Sequence, residues 1–111
     1  MIDHEIVREV DEILDDEVSA VYKTQPLAQD WARVAKIQEE AGEAIAELIL
    51  LTGQNPRKPI DSQAYDRLLA ELADTALTAV YAMQHYTKNV SKTASIMHAA
   101  QARHIERLRR K

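Results

Sequence analysis

Apolar residues recur every three to four positions along nearly the whole chain, the spacing of one face of an α-helix, and polar or proline-bearing punctuation divides them into four stretches. The first, roughly Asp3 to Tyr22, sets Ile6, Val10, Ile13/Leu14 and Val18 on one face. Asp11, Glu12, Asp15, Asp16 and Glu17 fall elsewhere on that helix and read as a solvated face. Lys23-Thr24-Gln25-Pro26 breaks the stretch, because Pro26 disfavours helical backbone at Gln25. A second helix is predicted from about Leu27 to Thr52, ending at Gly53, where a C-terminal glycine is expected. Gly53 to Pro59 carries no apolar period. Asp61 or Ser62 is positioned to cap a third helix reaching about Lys88, and Asn89 or Ser91 a fourth. The fourth helix aligns Ala94, Met97/His98, Ala102, Ile105 and Leu108, and its basic tail, Arg103 to Lys111, suits the negative end of a helix dipole. The pattern predicts an all-α fold of four helices in one domain spanning residues 1–111.

Composition sharpens this picture. Apolar residues make up 46% of the chain but aromatics only 5%, and there are only two glycines, so alanine- and leucine-rich helices carry the fold. At 111 residues the chain can bury a modest core alone and is better served by an oligomer. A formal charge of −4 offers no general attraction for nucleic acid or an anionic membrane. Zero Cys excludes disulfides, thiolate ligands and cysteine nucleophiles. The start, Met1-Ile2-Asp3-His4-Glu5, is acidic where a signal peptide would be basic, and the apolar stretch near Ile45 to Leu51 is interrupted by Glu47. A soluble, cytoplasmic protein is the expectation.

The candidate chemistry lies in acids at helical spacing: Glu39-Glu40-Ala41-Gly42-Glu43 on the second helix and Glu71-Leu72-Ala73-Asp74 on the third. Like charges three residues apart on one face repel, so the pattern costs stability unless a cation or solvent relieves it. At 100° per residue both acid strips border the apolar face of their helix instead of opposing it. An antiparallel pairing, favoured by the short connection, brings the strips together along one groove. Carboxylates without His or Cys beside them form a hard-oxygen site suited to Mg²⁺ or Mn²⁺. A di-iron bundle needs Glu-x-x-His, and none of His4, His85, His98 or His104 has Glu three residues before it.

On these residues the chain resembles the MazG-like, all-α nucleoside triphosphate pyrophosphohydrolases, whose signature is Glu-Glu-x-x-Glu, a variable spacer, then Glu-x-x-Asp. The resemblance covers about Trp31 to Tyr86. It implies a Mg²⁺-dependent enzyme that splits a nucleoside triphosphate into monophosphate and pyrophosphate, with Glu40, Glu43, Glu71 and Asp74 as metal ligands and Glu39 as a water-orienting base or outer-sphere group. It also implies a homodimer or homotetramer with active sites near subunit interfaces. Phosphoribosyl-ATP pyrophosphohydrolases share the acids, but the loop from Gly53 to Lys58 looks closer to the MazG-like branch. A non-enzymatic helical module using the acids as a charged surface is the alternative from outside enzymology.

Further substrate-binding candidates lie near these acids. Lys36 lies one turn before Glu40 and could touch phosphate or simply pair with it. Arg57 and Lys58 could clamp phosphate from the loop. Tyr81 and His85 extend the third helix's strip toward a sugar or base, and Glu47 extends the second's. Trp31, off the apolar stripe, suits a subunit contact better than base stacking.

Overall fold

The computed structural model describes residues 2–22 and 26–110, and the side chains of all of these except 18–22 and 26. Four helices are present: α1 (His4–Tyr22), α2 (Pro26–Thr52), α3 (Ala64–Thr87) and α4 (Val90–Arg109). The break at Lys23-Thr24-Gln25 and the Val18 side chain lie outside the described residues. Pro26 stands as the first residue of α2, where its missing N–H costs nothing and its fixed φ suits the helix.

Local chemistry sets the other ends. Gly53 closes α2 at φ +72°, and its N–H and that of Gln54 both reach the Ile49 carbonyl, at 3.1 and 3.3 Å. A Cβ there would stand 2.7 Å from Ile60 Cγ1, so glycine serves both the backbone and the packing. Asn89 caps α4, its side chain accepting the Lys92 N–H at 3.0 Å. The turn into α3 is capped ahead of the helix: Gln63, its preceding residue, makes no side-chain cap, whereas Asp61 accepts the Gln63 N–H at 2.9 Å and the Arg67 guanidinium at 2.6 Å.

Helices α2 and α3 form an antiparallel hairpin, against which α1 and α4 pack. On the hairpin, the bonds and shared walls of α1 fall on residues 29–36 of α2 and on residues 78–88, the end of α3 and its C-cap. At the loop-proximal end the two hairpin helices have mainly each other. Ile45, Leu48, Leu69 and Leu72 are therefore left exposed, Ile45 at 58% and Leu72 at 50%, although the apolar period marks them as core-facing. The buried apolar residues among those described are only Val7, Ala44, Ala64, Val80 and Ala82. The radius of gyration, 17.1 Å, exceeds the roughly 13 Å of a compact chain of this length. Among the described residues no helix is long and apolar enough to cross a membrane.

The acidic run of α1 is only partly a solvated face. Asp11 is 3% exposed and bonds through Oδ1 to Arg33 Nη2 at 3.0 Å and through Oδ2 to Lys88 Nζ at 2.8 Å. Asp15 shares the same two cations. Two bases from other helices compensate these carboxylates, which lets them point inward.

Candidate metal and nucleotide site

The carboxylates singled out by spacing converge across the hairpin. Glu40 and Glu43, one turn apart on α2, meet Glu71 of α3 with ligand oxygens all within 4.8 Å of one another. Antiparallel pairing produces this, since the half-buried Glu40 and Glu71 lie on the sides of α2 and α3 that meet, while Ile45 and Leu72 stay exposed. Burial pushes the Glu40 carboxyl above its ordinary pKa, and the neighbouring Glu43 charge pushes it further, with Asp74 adding to the effect; Lys36 opposes them. Glu71 Oε2 is buried and has no hydrogen-bond partner. A carboxylate oxygen left bare among like charges is a position that a cation would satisfy.

Asp74 stands beside this trio, close enough to act on Glu40, but outside the tight cluster. Glu39 lies further out, half-exposed, and pairs with Lys36 Nζ at 3.1 Å. Lys36 also reaches Glu40 at 3.7 Å, and the bond to Glu39 together with the charges of Glu39, Glu40 and Glu43 holds its ammonium above the ordinary lysine pKa. Glu47 turns away to Arg67, 2.9 Å from its Nε.

Beside the acids, Val10, Leu14, Ala32, Arg33, Lys36, Thr78, Tyr81 and Ala82 line a cavity of about 500 Å³ between α1, α2 and α3. Lys36 belongs to both the cavity wall and the acid strip. Tyr81 lies on the wall with it, whereas His85 does not reach the cavity. Its Nε2 is 2.7 Å from Asp30 and its Nδ1 is 3.3 Å from Asp15. Arg57 and Lys58 sit in the α2–α3 loop, which folds back so that Lys58 lies beside Leu50, two turns or about 10 Å along α2 from Glu43. Among the described residues no ion pair joins them to the acids. Trp31 is 77% exposed and, with Leu27, Asp30, Val34 and Tyr86, lines a separate surface groove.

A second acidic cluster lies at the other end of the hairpin. Asp11, Asp15 and His85 also bring ligand atoms within 4.8 Å, but Arg33 and Lys88 already supply positive charge there. Burial alone would raise the Asp15 carboxyl; Lys88 and Arg33 outweigh it and hold the group below the usual carboxylate range. This cluster is an ionic clasp joining α1 to the hairpin. The apolar period turns Ile6 and Ile13 inward and Asp11 to solvent, whereas the structure buries Val7 and Asp11 and leaves Ile6 and Ile13 exposed, because Arg33 and Lys88 draw the carboxylates in.

Comparison with protein-family models, with curated proteins and with solved structures gives no match.

Proposed function

We propose that this chain is a Mg²⁺-dependent nucleoside triphosphate pyrophosphohydrolase of the MazG-like kind. The observation that carries the reading is the Glu40–Glu43–Glu71 trio with its unpartnered buried Glu71 oxygen. The donor set is wholly carboxylate oxygen, which fits Mg²⁺, with Mn²⁺ as a substitute, and not a softer ion. Glu40, Glu43 and Glu71 would hold the ion, with Asp74 joining through its position one turn from Glu71. Bound there, it would neutralise polyphosphate charge that this acidic protein otherwise repels and lower the pKa of a coordinated water.

The chain's own groups account for the rest. Lys36, freed from Glu39 and Glu40, offers its ammonium to phosphate at the mouth of the cavity. The cavity, apolar on Val10, Leu14, Ala32 and Ala82 and polar on Thr78 and Tyr81, takes the nucleoside. Glu39, exposed beside the trio, accepts a proton from the attacking water. The new oxygen–phosphorus bond forms as the bond across the α–β anhydride breaks, leaving monophosphate and pyrophosphate. Pyrophosphate release from a panel of NTPs and dNTPs is expected with Mg²⁺ and not with EDTA. Equal silence in both conditions across the whole panel would overturn the reading in favour of a non-enzymatic module.

The reading includes self-association into a homodimer or homotetramer. Ile45, Leu48, Leu69 and Leu72 form an uncovered apolar face on the half of the hairpin that carries the acids, and a second hairpin laid on it would complete a four-helix core. Gly42, between Glu40 and Glu43, has open space where a Cβ would stand. A mid-helix glycine costs roughly 1 kcal/mol against alanine, and close approach by another chain or a ligand gives it a purpose. Light scattering at about 100 µM is expected to find a dimer or tetramer, with Leu72→Asp reducing its mass; a monomeric parent protein removes this part of the proposal.

A further inference from the structure

The last part of α4 is exposed on every side. Residues 101–110 are all solvent-facing, Ile105 and Leu108 included, yet they continue the stripe that Ala94 and Met97 begin. The start of that stripe is covered within the chain, where Ile2 and His4 of the N-terminal segment face Ala94, Met97, His98 and Gln101 across a shallow groove. Beyond Gln101, no described residue of the chain covers it. The same ten residues hold Arg103, Arg107, Arg109 and Arg110 against the single acid Glu106, a basic segment on a protein of net charge −4. Arg109 and His104 flank the Ile105–Leu108 edge, while Arg103, Arg107 and Arg110 lie round the helix from it.

The surface matching this in charge is the outer side of α1. Ile6 and Ile13 are exposed there, seven residues or about 10 Å apart, which leaves room to seat Ile105 and Leu108, three residues or about 5 Å apart on α4, between them. Glu9 borders Ile6 and Ile13, and Glu5 and Glu12 lie further round the helix on the same side, all three exposed, with Glu5 paired to Arg8 at 2.6 Å. A helix is about 10–12 Å across and the Debye length grows from about 8 Å at physiological salt to about 30 Å at 0.01 M, so the arginines on the far side of α4 contribute to attraction at low salt. Building on the self-association proposed above, we propose that the basic end of α4 docks on the acidic outer face of α1 in a second copy of this chain. Ile105 and Leu108 then lie against Ile6 and Ile13, with Arg109 toward the glutamates. The contact is reciprocal: each copy lends one α4 end and one α1 face, as a two-fold axis requires.

Charge reversal in the full chain tests this and separates it from the hairpin face. Arg107→Glu with Arg109→Glu, and separately Glu9→Lys with Glu12→Lys, should each weaken association about tenfold or more at low salt, read by sedimentation. The four changes together should restore it to within about threefold. In the parent, association should also weaken as salt rises, whereas contact through Leu69 and Leu72 should not. Loss of mass in Leu72→Asp with no response to either reversal would leave the hairpin contact standing and overturn this one. Response to the reversals with no change in Leu72→Asp would do the opposite. A parent protein monomeric at about 100 µM in low salt overturns both.

Discussion

Glu71→Gln is expected to abolish metal-dependent pyrophosphate release, lowering kcat/KM by about a thousandfold, while leaving the fold intact. The magnitude follows from the several kcal/mol that a metal contributes to phosphoryl chemistry at about 1.4 kcal/mol per tenfold in rate. The neutral amide keeps the shape of the side chain but removes one of three carboxylates whose oxygens crowd within 4.8 Å. Repulsion within the metal-free trio falls, so the midpoint of thermal unfolding without Mg²⁺ should stay level or rise. The parent should gain stability on adding Mg²⁺, because the ion binds the folded state, and the variant should lose that gain. Steady-state assays and paired melts with Mg²⁺ and with EDTA decide the matter. A variant that retains activity within about tenfold, or still stiffens with Mg²⁺, removes Glu71 from the metal site.

The larger stability effect is expected at the clasp. Asp11→Ala takes away a carboxylate that serves both Arg33 and Lys88, and Arg33, only 5% exposed, already has Nε and Nη1 without partners. Removing one member of a buried ion pair costs about 3–5 kcal/mol because the other is left charged and dry. Asp15 still touches Arg33, which places Asp11→Ala near the lower end, about 3 kcal/mol. For a domain of this size that lowers the melting midpoint by roughly 10 °C or more. The paired replacement Asp11→Leu with Arg33→Met should recover most of the loss, since well-packed apolar residues often match a buried pair. Chemical denaturation that finds less than about 1 kcal/mol for Asp11→Ala would mean that the clasp does not hold α1.

Much of this architecture was legible because helices announce themselves locally. The 3.6-residue period gave four helices, and Gly53 and Asn89 ended or began them for backbone reasons confined to one turn. The convergence of Glu40, Glu43 and Glu71 was legible for a related reason: two helices joined by a short loop pair antiparallel, so strips on matching sides must meet. What stayed hidden depends on partners distant in sequence. Asp11 and Asp15 resemble their exposed neighbours until Arg33 and Lys88 are placed beside them, and His85 until Asp30 is placed beside it. Loop residues such as Arg57 and Lys58 carry no period, so their distance from the acids could not be read before the loop was placed. The uncovered stripe of Ile45 and Leu72 was hidden too, since a period marks which side is apolar and not what lies against it.

The clasp also bears on the order in which the molecule assembles. The contact of Asp11 with Lys88 joins residues 77 positions apart, and that of Arg33 with Asp11 spans 22, whereas α2 and α3 meet across one short loop. Closing a loop costs conformational entropy that grows with its length, so the hairpin is the inexpensive early event and α1 the late one. Once α2 and α3 are paired, Arg33 and Lys88 stand on one preformed edge, and the effective loop that α1 must close is much shorter than its sequence separation.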